Sequence, residues 1–149
     1  MIHQLLKLDN SNFTSDFIKT VESLNKNAKL ILSEAVKSER MGITVDQWMI
    51  LLFLLDKEPQ AQIDIAKFVN KDPASLTRMI DIIENKGFVN RVGVANDRRK
   101  FGIQLTVEGR RKAKSSQILF EKTNALFLDV FNAEDLLKLQ QINESLANL

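Results

Sequence analysis

The chain contains no cysteine and only one histidine, His3, in 149 residues. Without cysteine there is no disulfide framework, no thiol switch and no Cys-based metal site, which fits a reducing compartment. One histidine cannot build a multi-histidine metal site, and a glycine-rich phosphate loop is also missing. We therefore expect a protein that is not an enzyme, has no cofactor and no metal, and resides in the cytoplasm.

Long apolar runs are also missing, since no segment approaches 18 uninterrupted apolar residues. The first nine residues lack the charged start and long apolar stretch of a signal peptide. We therefore expect no membrane partner and no export. The hydrophobic content of 44% is enough for a core, so residues 1–149 are predicted to form a single domain.

Basic residues are concentrated in the middle of the chain. Residues 57–114 contain 13 Lys and Arg against 7 Asp and Glu, whereas the segments on either side are net negative. A localised basic block is typical of phosphate binding, although a solvated charge run gives the same composition. Charge alone does not decide between these alternatives.

Apolar residues at helical spacing from Phe13 onward predict a long amphipathic helix that ends near Gly42. Thr44 and Gln47 then form a capping-box pattern, with Ile43 and Trp48 placed as a hydrophobic staple. They open an apolar helix that runs to about Asp56. Its nearly continuous apolar sequence indicates a central, buried element.

Two short helices joined by a tight turn are predicted next. Residues 60–69 form the first, and the polar turn contains Lys71. Asp72 is the N-cap of the second helix, residues 73–86, with Pro73 in its first turn and Gly87 as a left-handed C-terminal cap. This arrangement is a candidate helix-turn-helix.

Two β-prone runs, residues 88–92 and 101–105, flank the polar loop 93–100 and predict a hairpin. Thr106 then caps a long helix toward Val130, and a final amphipathic helix follows. The predicted fold is mostly α with a small β-hairpin wing. It is a winged helix-turn-helix, residues 44–106, flanked by N-terminal (1–40) and C-terminal (107–149) dimerisation helices.

The helix from Pro73 has a small, polar outer face. With Leu76, Ile80 and Ile83 directed inward, the residues turned away are short or polar, and one is basic. Short side chains allow close approach to a major groove, and Arg78 can reach a guanine edge or a phosphate. An ordinary solvent-exposed helix is the alternative. The candidate residues are Ala74, Ser75, Thr77 and Arg78.

Three cations, Arg98, Arg99 and Lys100, lie in the predicted hairpin loop. An arginine at the tip of a protruding ribbon suits the narrow, negative minor groove. Asp97 can hold a guanidinium in a bidentate grip and so orient it. A charged tip kept polar for solubility is the alternative.

The sequence resembles the MarR family of bacterial winged helix-turn-helix transcriptional regulators. The resemblance rests on Gly87-Phe88-Val89-Asn90-Arg91, Asp97-Arg98-Arg99 and Leu105-Thr106-Val107-Glu108-Gly109, with matching spacings. It covers at least residues 44–112. The loop departs from the family pattern, since residues 92–95 are less polar and Phe101 stands where Lys is common.

The resemblance implies a triangular homodimer that places two winged domains on successive major grooves of a pseudo-palindrome. Ser75, Thr77 and Arg78 would then act at the major groove, and Arg99, oriented by Asp97, in the minor groove. The residues that would contact phosphates are Arg91, Arg98 and Lys100, and Lys71 joins the DNA-binding set. Apolar stripes on the terminal helices independently favour a dimer, although they can also pack within one chain.

A small aromatic effector is a further partner that the resemblance implies. Candidate pocket residues are Phe13, Phe17, Met41 and Trp48, although aromatic residues at helical spacing are more often core. The sequence therefore predicts a sequence-specific double-stranded DNA-binding regulator, acting as a ligand-responsive repressor. The alternative is a protein-interaction module that keeps the winged fold without specific DNA binding.

Overall fold

The computed structural model describes residues 12–94 and 97–149, with side chains at all of these except positions 94 and 97–100. Within these residues the fold is mostly helical with one small sheet, which confirms the predicted fold class. The elements are α1 (Phe13–Ser38), α2 (Val45–Asp56), β1 (Gln60–Ala61), α3 (Gln62–Val69), α4 (Pro73–Asn85), β2 (Val89–Val94), β3 (Asp97–Leu105), α5 (Val107–Ser115), α6 (Gln117–Leu128) and α7 (Ala133–Ala147).

Helix α2 is the centre of the core. Its predicted capping box is confirmed, because the Thr44 hydroxyl accepts the Gln47 N–H at 3.3 Å and the Gln47 side chain accepts the Thr44 N–H at 3.0 Å. Trp48, Leu51 and Leu54 are fully buried. Burying side chains of this size contributes about 1.5–3 kcal/mol each, so α2 is a rigid base for the neighbouring elements.

Helix α1 ends earlier than predicted, at Ser38 rather than near Gly42. Arg40 adopts a left-handed backbone conformation with φ of 49°, and Met41 donates its N–H to the Val36 carbonyl at 3.4 Å. This bond is typical of a left-handed helix end, which is usually made by glycine. Arginine in that position gave no signal in the sequence.

The sheet has three antiparallel strands in the order β1-β3-β2. Strand β1 corrects the prediction that the helix begins at residue 60, because Gln60 and Ala61 pair with Ile103 and Gly102 before α3 starts. The absence of a side chain at Gly102 permits this approach, since a Cβ there would lie 2.9 Å from the Pro59 Cβ. A two-residue strand is too short to show an alternating pattern.

The hairpin strands are longer than predicted. Strands β2 and β3 include residues that the sequence assigned to the loop 93–100, and their register shifts between Gly93 and Val94. Ladder hydrogen bonds join backbone groups, so a polar segment can extend a strand that an apolar pattern has started. The predicted hairpin is confirmed, and its two strands are longer than predicted.

The predicted long helix after Thr106 is divided at Ser116 into α5 and α6. The final predicted helix is confirmed as α7, in which no residue is buried. None of the helices in the described ranges 12–94 and 97–149 is long and apolar enough to cross a membrane.

Candidate nucleic-acid interface

Helix α4 begins at a well-formed cap. Asp72 accepts the backbone N–H of Ser75 at 2.9 Å, and Pro73 occupies the first turn, which confirms both predictions. The hydrogen bonds from Ser75 hold the pKa of the Asp72 carboxyl below its usual value of 3.8. The cap therefore carries a negative charge at neutral pH and fixes the direction in which α4 starts.

Helix α4 has one buried apolar face and one exposed polar face, as predicted. Leu76, Ile80 and Ile83 are buried against the core. On the opposite side Ala74, Thr77 and Arg78 are exposed and Ser75 is half-buried. The Thr77 hydroxyl donates to the Pro73 carbonyl at 2.9 Å. Helix α4 thus presents a narrow face of short side chains around one arginine.

Lys71 lies in the turn between α3 and α4. The turn begins at Asn70, whose backbone is left-handed with φ of 51°. The Lys71 ammonium lies 2.9 Å from a carboxylate oxygen of Asp46, whose other oxygen is 3.9 Å from Lys29 of α1. The turn is therefore tied to the start of α2, and the role of Lys71 at DNA stays a prediction.

The tip of the wing carries the other predicted contacts. Strand β3 begins with the backbone of Asp97, Arg98, Arg99 and Lys100. The side chains of these four residues lie outside the described part of the structure. The predicted roles of these four residues at DNA therefore stay predictions.

Arg91 lies on β2 and faces α4. Its guanidinium forms ion pairs with Asp81, at 2.6 Å, and with Glu84, and its backbone N–H donates to Glu84 at 3.2 Å. The contact with phosphates that the resemblance implied for Arg91 stays a prediction. What the structure adds is a direct link between the wing and α4.

The other end of the hairpin is anchored to the core. Glu58 accepts the Leu105 N–H at 2.6 Å and forms an ion pair with Arg110. Thr106 donates its hydroxyl to the Gly87 carbonyl at 2.6 Å and caps α5 by accepting the Gly109 N–H at 3.0 Å. These contacts join the last residue of β3 to the first turn of α5.

The structure places the four predicted pocket residues in two separate pairs, and their role in ligand binding stays a prediction. Trp48 is 0% exposed, and Met41 lies in the same core. Phe13 and Phe17 stack at 6.4 Å in the first turns of α1. Along the chain, most of the 26-residue helix α1, which is roughly 39 Å long, lies between Phe17 and Met41. In this chain, therefore, Trp48 and Met41 are core residues.

Several supporting residues were missed by sequence reasoning. Sequence analysis assigned no role to Asp81, Glu84 or Glu58, and it did not predict the close contact of Gly109 with the Phe88 backbone. The spacing of three between Asp81 and Glu84 puts both on one side of α4 and was the available signal. Nothing local to Glu58 indicates its partner, which is 47 residues away.

A helix-turn-helix whose second helix exposes a narrow polar face, followed by an anchored β-hairpin, defines a winged helix-turn-helix protein. Residues 43–101, its winged-helix segment, match the family model described as the MarR family. The resemblance seen in the sequence is thereby confirmed for this segment. Members of that family are transcription regulators and not enzymes.

Solved structures extend the likeness in fold to most of the chain. The Staphylococcus aureus MepR–DNA complex has a TM-score of 0.75 at 19% identity and covers 89% of this chain and 98% of its own. AbsC, a MarR family transcriptional regulator from Streptomyces coelicolor, gives 0.75 at 22% identity, with coverage of 90% and 91%. Reduced AbfR bound to DNA gives 0.77 at 20% identity, with coverage of 96% and 98%.

Proposed function

We propose that the protein is a sequence-specific, double-stranded DNA-binding transcription regulator that acts as a homodimer on a pseudo-palindromic site. The observation that carries this proposal is the outer face of α4, where Arg78 stands among short side chains next to an anchored wing. Such a face can enter a major groove, and an exposed arginine can pair with guanine. The likeness in fold to MepR and AbfR, both solved with DNA, supports duplex DNA as the partner.

Exposed apolar side chains on the outer helices support a homodimer. Helix α7 leaves Leu136, Leu139 and Ile142 between 41% and 55% exposed. Between α1 and α6–α7 lies an apolar cavity of about 520 Å³, lined partly by Leu24 and Phe127. Apolar faces of this extent on a single chain are typical of a surface that is covered by a partner, and a two-fold protein suits a two-fold DNA site.

We further propose that the protein is a ligand-responsive repressor whose effector is a small aromatic molecule. An apolar cavity of about 530 Å³ between α2, α3 and α6 supports this, with Phe53, Phe68 and Phe120 among its lining residues. Its size suits a small ligand. Phe120 also packs edge-on against Trp48 at 6.2 Å. Because Trp48 is the only tryptophan, its fluorescence should change when benzoates or phenols bind there, and an unchanged spectrum at saturating ligand would contradict this site.

The central test is fluorescence-anisotropy binding to the DNA that flanks the gene, titrated across salt with random duplex as competitor. We expect competitor-resistant binding by two protomers per site, with an affinity that falls steeply as salt rises. Weak, sequence-blind binding would contradict the proposal. If a stoichiometric protein partner survived DNase treatment in a pull-down, the interaction-module alternative would be favoured.

Two arginine variants test the interface. Arg78→Ala should weaken binding and relax sequence preference by about 1–3 kcal/mol if Arg78 reads a base. Arg99→Ala should abolish tight binding while the dimer stays folded. Lys122→Ala removes one exposed positive charge from α6 and serves as the control. An Arg99→Ala protein that bound like the control would contradict the minor-groove role.

A further inference from the structure

The wing and helix α4 are joined by one side chain. Arg91 donates its backbone N–H to Glu84, and its guanidinium donates to both Glu84 and Asp81. The two acids are three residues apart on α4, so both reach the same guanidinium. We call Arg91, Asp81 and Glu84 the wing brace.

The position of Arg91 in the sheet explains why it reaches α4. Its register partner on β3 is Ile103, which is fully buried, and Val89, two residues earlier on β2, is buried as well. Alternate residues of a strand share one face, so Arg91 lies on the face that packs on the core. The Arg91 side chain is 28% exposed. Its backbone N–H and its guanidinium both donate hydrogen bonds to acidic side chains of α4.

We propose that Arg91 is a positioning residue that sets the angle between the wing and α4, and that Asp81 and Glu84 promote DNA binding through it. This inference rests on the proposed function. It replaces a contact between Arg91 and a phosphate with a contact inside the protein. Two acids that lie beside a DNA-binding face are thereby assigned a role in binding.

The physical reason is preorganisation. A wing and a recognition helix that act in different grooves must reach them at the same time, and the second contact forms efficiently only when the geometry is already correct. The turn between α4 and β2 contains Gly87, whose φ is 75°. The wing brace joins α4 to β2 on either side of this turn and so restricts the movement of the hairpin relative to α4.

The test asks whether removing a negative charge from α4 strengthens or weakens DNA binding. Neutralising an acid beside DNA normally strengthens binding, because the acid repels phosphates. The brace predicts the opposite for Glu84→Gln, with binding weaker by about threefold to tenfold, as for the loss of one charged contact. Asp64→Asn is the matched control, because it removes an exposed acid from the first turn of α3. It should bind as tightly as wild type or more tightly.

A second variant separates a brace from a phosphate contact. If Arg91 touched a phosphate, Arg91→Ala would lower the slope of log affinity against log salt by about one. The brace predicts weaker binding with an unchanged slope. The brace also predicts that Arg91→Ala loses base preference at the outer positions of each half-site, where the wing would contact DNA. Base preference at the positions read by α4 should be kept. A role in stability alone would leave that pattern unchanged.

Each outcome decides between the proposals. Both variants are compared with wild type as folded dimers, below the melting temperature of the weakest variant. Tight binding by wild type with Glu84→Gln equal to or tighter than wild type overturns the brace and leaves the proposed function standing. A reduced salt slope for Arg91→Ala overturns it as well. If wild type does not bind duplex DNA specifically, both proposals fail.

Discussion

At the scale of the residue, Gly109 has no room for a side chain. It lies in the first turn of α5, where a Cβ would overlap the carbonyl group of Phe88. That carbonyl belongs to the turn between α4 and β2 and accepts the Thr106 N–H at 3.0 Å. Because the obstacle is backbone held by a hydrogen bond, it cannot move aside cheaply.

We expect Gly109→Ala to destabilise the protein by about 1–3 kcal/mol, the usual cost of forcing an extra carbon into a packed site. Alanine would gain about 1 kcal/mol in helix propensity, so the steric effect must exceed that gain. Urea unfolding measures the difference. Gly93→Ala is the control, since nothing lies within 4 Å of a Cβ there. Equal stability of the two variants would contradict the close packing of Gly109.

Asp72 makes the stability of α4 depend on pH. Its pKa is lowered in the folded protein by the hydrogen bonds from Ser75. The folded state therefore binds the proton less well than the unfolded chain, and the charged cap stabilises the fold above the usual pKa of 3.8. This contribution is lost as the pH falls through the lowered pKa.

We expect wild-type stability to fall more steeply than that of Asp72→Asn as the pH is lowered from about 5 to 3. Asparagine keeps the capping acceptor but carries no titrating charge. Urea midpoints measured across this range give the comparison. Parallel curves for the two proteins would show that Asp72 has the same pKa in the folded and unfolded states.

At the scale of the element, the break between α5 and α6 is made by one serine. The Ser116 hydroxyl donates to the Ala113 carbonyl at 2.7 Å and accepts the Trp48 indole N–H at 2.9 Å. A serine hydroxyl that competes for a helix carbonyl tends to bend the helix. The bend therefore coincides with the contact between the C-terminal helices and the core helix α2.

We expect Ser116→Ala to cost about 1–3 kcal/mol, because it leaves the buried indole N–H of Trp48 without its acceptor. The fluorescence of Trp48 reports the unfolding transition directly. Ser115→Ala is the matched control, since the exposed Ser115 hydroxyl bonds only within its own helix. A Ser116→Ala protein as stable as Ser115→Ala would contradict this contact.

Local signals predicted most elements well. The Thr44 capping box, the Asp72 cap and the left-handed Gly87 are all present, because each depends on residues close together in the chain. Strand β1 and the break at Ser116 were missed, since both depend on partners more than 40 residues away. The resemblance implied that Arg91 contacts a phosphate, which stays a prediction, and sequence reasoning did not anticipate its ion pairs with Asp81 and Glu84. The same residue type serves an ion pair and a phosphate contact, and only the fold shows which partners are near.

At the scale of the whole molecule, the exposed apolar residues of the outer helices support the proposed homodimer. Helix α7 carries three apolar residues spaced three apart, which form a stripe on one side of the helix: Leu136, Leu139 and Ile142. We expect Leu139→Glu to dissociate the proposed dimer, because an unpaired charge in a buried interface is costly. Light scattering after size exclusion measures the mass.

Gln141→Glu places the same charge on α7 outside this stripe and should leave the mass at twice that of the chain. If Leu139→Glu were also dimeric, the interface would lie elsewhere. If wild type were monomeric, the proposed dimer would be wrong. The variant that dissociates should also lose specific DNA binding, since one winged domain contacts only one half-site.

The most direct test of the central claim is selection of binding sequences from a random pool of duplex DNA. The account predicts a two-fold symmetric motif with half-sites about one helical turn apart, and a loss of preference at one position in each half-site for Arg78→Ala. A pool that stays unenriched when the protein is folded and dimeric would contradict sequence-specific DNA binding by this chain.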